Sequence, residues 1–483
     1  MGLQIGGKYP TSRPSINWDF ANAGSLPPGI EFDRSTIATY LDRDGFIKTA
    51  KPNVPRFDHD PTTLEPLGLL KEDARTNYLD NTDLKGGWSG GTAGDTFVDS
   101  LGVSAQQEKS PDGDSAWYYS PSSNSGHHRY YKGVTVPTLD TTYVVSVFAK
   151  RVLDGNVSNL NRYLEIEVTG NFTGNAQPTG HTGTHGGSNV TFDLQDEQVE
   201  VVTEKSWGYV GNARMVKYPN GWYRCSYCFN PGVGSTFTGT VWFGHPTTLG
   251  GDVGNETGNG NPSFYLWGAN VQNAVTEDEC FSYIAQDTQG STTRQKDNLI
   301  ARNPDFTFPA TIVTEFTTLT RKYARRLYGI NPESGSDTIR PYLSDNGAMG
   351  YYTTYGTVST DDTGTGGASA SGSALLRQTT TGDCSQNFYG PTKHAWALGF
   401  GDTENSQGFK LCCNGIMQNS GNAVGSTLHG THKNVIYVKI GYSSQGDTPR
   451  EWCGHYKSIR IYSDYLGNDS MIALTKDYNF AGV

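Results

Sequence analysis

Four polar side chains stand close together at Arg56, Asp58, His59 and Asp60. A base, a carboxylate pair and a guanidinium within five positions are the ingredients of acid–base or metal chemistry. The plainer reading is a salt-bridged corner, because no neighbouring pattern supplies a second layer of orienting groups. His181 and His185 have the i, i+4 spacing that holds zinc when a helix presents both rings on one face. Here they lie in the Gly-rich run 169–189, where a helix is excluded, so a surface loop is expected. Cys225 and Cys228 look like a metal-binding pair, but Gly221 to Cys228 reads as a strand, which sends i and i+3 to opposite faces. The seven cysteines are expected to be buried thiols. Asp95, Asp99, Asp112 and Asp114 gather near a loop region, where a structural Ca²⁺ is one alternative because it takes carboxylate oxygens. No metal or cofactor is assigned.

The aromatic residues suggest a different chemistry. An aromatic face can stack on the apolar C–H face of a sugar. Trp222 and Trp267 sit mid-strand and are expected in the core, whereas Tyr130 and Trp242 are less constrained and are the candidate glycan contacts. His127-His128-Arg129-Tyr130-Tyr131-Lys132 is aromatic and basic, which suits an anionic glycan, a neighbouring subunit or simply an edge strand. There is no GxSxG, no phosphate-binding loop and no HExxH, so no catalytic residue is assigned and no enzyme is expected.

These residues must be carried by strands. Of the 483 residues only 35% are hydrophobic, yet 12% are aromatic and 60 are glycine. That mixture suits β-sandwiches with long loops and leaves too little aliphatic mass for a helical core. A net charge of −11 argues against a nucleic-acid surface. No apolar run approaches the ~20 residues of a membrane span, and the first nine residues lack the apolar core of a signal peptide, so no membrane insertion is expected and synthesis is placed in a cytoplasm. The fold class expected is all-β: two antiparallel β-sandwiches after an extended N-terminal segment. Residues 1–76, broken by seven prolines from Pro14 to Pro66, form that segment, with a hairpin at Ile37–Ile47 turning on Asp44-Gly45. Residues 77–290 alternate as a jelly roll. In Leu164-Glu165-Ile166-Glu167-Val168 the acids share one face, and Thr142–Lys150 reads as a central strand. Residues 291–483 form the second sandwich, with strands at 311–318, 395–400, 409–413, 434–441 and 458–462, a hairpin at Asn414-Gly415, a flexible loop at 355–375 and a closing helix at 469–475.

Residues 14–79 resemble the opening of many appendage proteins of tailed bacteriophages. The phrases are Pro14-Ser15-Ile16-Asn17-Trp18-Asp19-Phe20-Ala21, Ile37-Ala38-Thr39-Tyr40, Pro55-Arg56-Phe57-Asp58-His59-Asp60-Pro61 and Gly68-Leu69-Leu70-Lys71-Glu72-Asp73-Ala74-Arg75-Thr76-Asn77. The middle part is similar to the carbohydrate-binding-module-like jelly roll of those proteins, at Gly221-Trp222-Tyr223-Arg224-Cys225 and Tyr265-Leu266-Trp267-Gly268-Ala269. The last part resembles a laminin-G or concanavalin-like lectin sandwich, at Cys413-Asn414-Gly415 and Gly454-His455-Tyr456-Lys457-Ser458. The resemblance implies a structural protein of the virion: a tail fibre or host-attachment protein that binds a host surface glycan. A head, neck or tail decoration that binds only other virion proteins is the alternative. It also implies other virion proteins as partners and self-association, with a trimer expected because such appendages sit on symmetric platforms. No heptad, collagen-like or β-helix repeat is present to make a rod, which favours a compact appendage.

Overall fold

A computed structural model describes residues 13–476 apart from 101–107, 138–140, 154–161, 173–185, 203–208, 233–235, 252–255, 259, 275–280, 287–289, 308–309, 320–324, 333–337, 344–348, 355–373, 378–393, 400–409, 414, 419–434 and 442–451. The chain is almost entirely antiparallel β-structure, arranged in facing sheets. No helix among the described residues is long and apolar enough to cross a membrane.

The jelly roll pairs an inner and an outer sheet. One runs in the order Tyr209–Lys217, Tyr223–Asn230, Thr142–Arg151, Phe264–Ala274, Trp117–Ser120 and Thr96–Asp99. The other is six-stranded: Gln198–Val201, Gly186–Asp193, Tyr163–Gly170, Phe237–Gly244, Arg129–Val136 and Ser89–Gly90. Alternation decides the core. Leu164, Ile166 and Val168 face Val241, Phe243, Val145 and Phe229 between the sheets, and the intervening residues face away. Thr142–Arg151 lies between two partners and is buried along most of its length, as its near-continuous apolar sequence predicts.

The other sandwich combines the two ends of the described chain. Ile16–Asp19 and Pro66–Lys71 both pair with Gly454–Tyr462, and Ile30–Asp33 pairs with Asn298–Arg302 in the facing sheet. Trp18, Phe20, Ile30 and Leu69 therefore share a core with Ile312, Phe316, Ile330, Ile440 and Ile459. Gly68 permits the closest approach: its φ is +97°, and a Cβ there would lie 2.1 Å from the Tyr456 carbonyl oxygen. The closing helix, Asn468–Thr475, seats Met471 on Val313, Cys412 and Tyr462. Of the expected hairpin at Asn414-Gly415, Asn414 lies outside the described residues; the flanking strands pair with Cys413 opposite Ile416, and Gly415 takes φ +80°.

The expected N-terminal hairpin pairs Ala38–Leu41 with Ile47–Ala50. Its loop is longer than a two-residue turn and is organised by Asp42, whose carboxylate accepts from the Asp44 and Phe46 amides. Leu41 and Ile47 cover the outward face of the first jelly-roll sheet, joining Phe148, Trp222, Tyr265, Trp267 and Tyr283. Trp222 and Trp267 are thus core residues, 1% and 2% exposed.

The chain enters the jelly roll at Arg75–Asn77 and leaves it at Thr292–Arg294, and these two segments pair antiparallel. Beside them lies a buried charge network. Glu72 Oε2 accepts from Arg56 at 2.6 Å, Arg294 at 2.6 Å and Ser282 Oγ at 2.7 Å, while Ser282 N donates to Oε1 at 2.8 Å. Asp297 binds Arg34 at 2.9 Å and Arg56 at 2.5 Å. All five charged side chains are 0–1% exposed. Burial alone would raise the Glu72 carboxyl, but Arg294, Arg56 and the Ser282 bonds outweigh it and hold the group well below the usual carboxylate range.

Candidate functional site

The two jelly-roll sheets differ in what covers them. The N-terminal hairpin closes over the first; on the outward face of the six-stranded sheet Glu165, Asn189 and Thr191 are fully buried, and Tyr131 and Trp242 are half-buried. Register builds the site there. Tyr131 lies opposite Trp242, and Trp242 lies opposite Glu167. Arg129, Tyr131, Trp242, Glu165, Glu167 and Thr169 therefore share one face, on three adjacent strands.

The rings of Tyr131 and Trp242 sit 4.4 Å apart at 38°, both half-buried. Trp242 Nε1 donates to Thr169 Oγ1 at 2.8 Å, which fixes the indole. The Arg129 guanidinium packs 5.6 Å from the indole centroid. It also meets Glu167 at 2.6 Å and Glu165 at 3.4 Å. Asn189 Nδ2 in turn donates to Glu165 Oε1. Carboxylates are seldom 0% and 6% exposed, as Glu165 and Glu167 are, unless paired in this way. The result is a half-buried ring pair whose Arg129 neighbour is held from beneath by two buried carboxylates. Such a ring pair can stack on a sugar face.

Tyr130, the other residue expected to meet a glycan, points the opposite way. It is 8% exposed and packs between Phe97 at 4.4 Å and Trp88 at 5.7 Å, and burial pushes its hydroxyl up to about 12. The phase of the strand explains this: Tyr130, Val134 and Val136 face the core, so Tyr131 takes the outward position. The sequence marked the run 127–132 as aromatic and basic, but not Arg129 and Tyr131 as its outward pair. The shared face of Glu165 and Glu167 was visible there, but not its contact with Trp242.

The remaining polar motifs resolve as follows. Arg56 enters the buried network, while Asp58 binds His455 Nε2 at 2.9 Å. Asp95 is a buried hub that accepts from Tyr119, Ser122 N and Thr92 N and meets His128 Nδ1 at 2.8 Å. Asp112 accepts from Ser110 Oγ and the Asp114 amide, and Asp114 is exposed. Among the described residues no three His, Cys, Asp or Glu are placed to hold a metal ion. Cys225, Cys228, Cys412 and Cys453 are buried free thiols, and Cys225 and Cys228 fall in different clusters on opposite faces of their strand. His181 and His185 lie outside the described residues, as do residues 355–373 of the expected loop; Ala374–Arg377 is a strand.

Fold and site together define an all-β, antiparallel sandwich protein with one aromatic, carboxylate-flanked sheet face. No protein-family model and no curated protein matches the sequence. Among solved structures the chain is similar to the CBM40 module of Ruminococcus gnavus IT-sialidase, at 21% identity over 35% of this chain and 83% of that one, with a TM-score of 0.26. Trypanosoma rangeli sialidase in complex with sialic acid aligns at 10% identity over 74% and 60%, with a TM-score of 0.25. Mouse laminin α1 domains LG4-5 align at 10% identity over 70% and 87%, with a TM-score of 0.21. At these scores the likenesses carry no argument about function.

Proposed function

We propose that this protein binds a glycan through the outward face of the six-stranded sheet and serves as a host-attachment component of a tailed-phage virion. The observation behind the binding role is the Tyr131–Trp242 pair, held beside Arg129 and the carboxylates of Glu165 and Glu167. Trp242 supplies the stacking plane, and Thr169 fixes its orientation. Arg129 packs beside the indole, fixed by two acids. The virion assignment rests on the resemblance of residues 14–79, and a symmetric trimer is part of the same reading.

A glycan array and a cell-adsorption assay with the full chain test it. Saturable binding is expected, weakened at least ~10-fold, equivalent to ~1.4 kcal/mol, by Trp242→Ala. Equal binding by Trp242→Ala and the parent protein overturns the site. Absence of any glycan binding, with the chain located at the head or neck by electron microscopy, favours the decoration role. A monodisperse monomer at micromolar concentration removes the trimer.

A further inference from the structure

A cleft of about 330 Å³ opens between the jelly roll and the other sandwich, on the side opposite the aromatic sheet face. Its walls come from distant parts of the chain, among them the N-terminal hairpin and the strands after it, Phe148, Tyr209–Lys217 and Arg224 of the jelly roll, Tyr283, Thr317 and Thr318, and His455. Junctions between packed units are where small-ligand sites usually form, and this volume is at the lower end of their range.

The floor is fixed. Thr317 Oγ1 lies 2.9 Å from His455 Nδ1, and Asp58 Oδ2 lies 2.9 Å from Nε2, while Asp58 Oδ1 accepts from the Leu41 amide at 2.7 Å. Above it three polar tips are left over. His59 Nδ1 sits 3.0 Å from the Leu41 carbonyl, which can only accept, so Nδ1 carries a proton and Nε2 is the atom left for a ligand. Asp60 Oδ1 is occupied by the Thr62 and Thr63 amides, leaving Oδ2. Among the described residues, His59 Nε2, Asp60 Oδ2 and the Tyr40 hydroxyl have no hydrogen-bond partner. All three residues are half-buried and line the cleft. The Arg214 and Arg224 side chains also line the cleft, and Tyr218, held edge-on to Phe148 at 4.9 Å, brings an aromatic wall.

We infer that this cleft is a second binding site, independent of the sheet face, for one neutral, polyhydroxylated ring such as a hexose. An imidazole nitrogen, a carboxylate oxygen and a hydroxyl around an aromatic wall match adjacent sugar hydroxyls, each of which donates and accepts. A carboxylate ligand would meet the charges of Asp58, Asp60 and Glu72, and a simple cation would meet those of Arg214 and Arg224.

The test is saturation-transfer difference NMR on the full chain with glucose, galactose, mannose and N-acetylglucosamine as probes. Four proteins are compared: the parent, Trp242→Ala, the double variant Tyr40→Phe/Asp60→Asn, and the triple variant that combines all three changes. The double variant removes one hydroxyl and one charge, and the carboxamide that replaces the Asp60 carboxylate keeps an oxygen to accept from the Thr62 and Thr63 amides. At least one hexose is expected to bind Trp242→Ala saturably and to bind the triple variant at least tenfold more weakly, with the array binding of the double variant unchanged. No hexose signal from Trp242→Ala, or equal hexose affinity in Trp242→Ala and the triple variant, overturns the second site. Neither result touches the sheet-face reading, which fails only if Trp242→Ala leaves array binding intact.

Discussion

Replacing Glu72 by Gln keeps the shape of the side chain and removes one negative charge from the junction. In the folded protein three arginines share two carboxylates there, at 2.5–2.9 Å and without solvent. After the change Arg294 loses its one carboxylate in this set, and Arg56 keeps Asp297. Breaking a buried pair from one side costs about 3–5 kcal/mol, because a buried charge is left uncompensated. That is a large part of the ~5–15 kcal/mol that holds a folded domain together. The exposed pair Arg302–Glu31 has a similar separation, 2.9 Å, with both side chains more than half exposed, so Glu31→Gln should cost less than ~1 kcal/mol. Urea unfolding followed by tryptophan fluorescence and by circular dichroism reads both. Because the network joins the two sandwiches, the two probes should coincide in the parent and separate in Glu72→Gln. The sign with pH also follows. The Glu72 carboxyl is depressed in the fold, so its stabilisation is complete above its unfolded value of about 4.3 and is lost as pH falls toward the folded value. Glu72→Gln should therefore show a flatter loss of stability in acid than the parent. A midpoint shift no larger than that of Glu31→Gln refutes the argument.

Other expectations are simpler. Gly68→Ala should destabilise by more than ~1 kcal/mol and weaken the joining of the N-terminal strands, since the new Cβ meets the Tyr456 carbonyl; thermal unfolding checks it. Trp222→Ala should cost ~3–5 kcal/mol by calorimetry, because the ring is 1% exposed between the hairpin and the sheet. Burial pushes the Cys225 thiol up, so it should resist a thiol reagent at pH 8 until the protein is unfolded, as mass spectrometry would show. Tyr130→Ala should lower stability before it affects glycan affinity, the reverse of Trp242→Ala, when melting and array binding are measured on the same samples.

Local alternation made individual strands visible. Thr311–Thr318 carries its signal in its own residues, and so does the hairpin that follows Cys413. The partners of the N-terminal strands left no such trace. Nothing in Ile16-Asn17-Trp18-Asp19 indicates pairing with Ile461 to Ser458, because pairing across hundreds of residues is decided by shape and core volume. The site was half legible for a related reason. Trp242 and the acids of Leu164–Val168 each declared a face, but their adjacency depends on the strand order that places Phe237–Gly244 between Tyr163–Gly170 and Arg129–Val136. With two aromatics in a row at 130 and 131, only the parity of Val134 and Val136 says which one turns outward. Of the cleft only the cluster at Asp58, His59 and Asp60 was visible, since its other walls come from separate stretches with no common pattern.

The return of the first strands to the last has a consequence for synthesis. Ser15 Oγ donates to the Ile461 carbonyl oxygen, 446 residues along the chain. At ~5–20 residues per second a ribosome needs roughly 20–90 s to cover that distance. Throughout this interval the jelly roll can emerge and close on its own core, while Trp18, Phe20 and Leu69 wait without theirs. Of these two sets of strands, the one made earlier is therefore completed only when the later one arrives. Its sticky apolar strands are the ones a chaperone would have most time to meet.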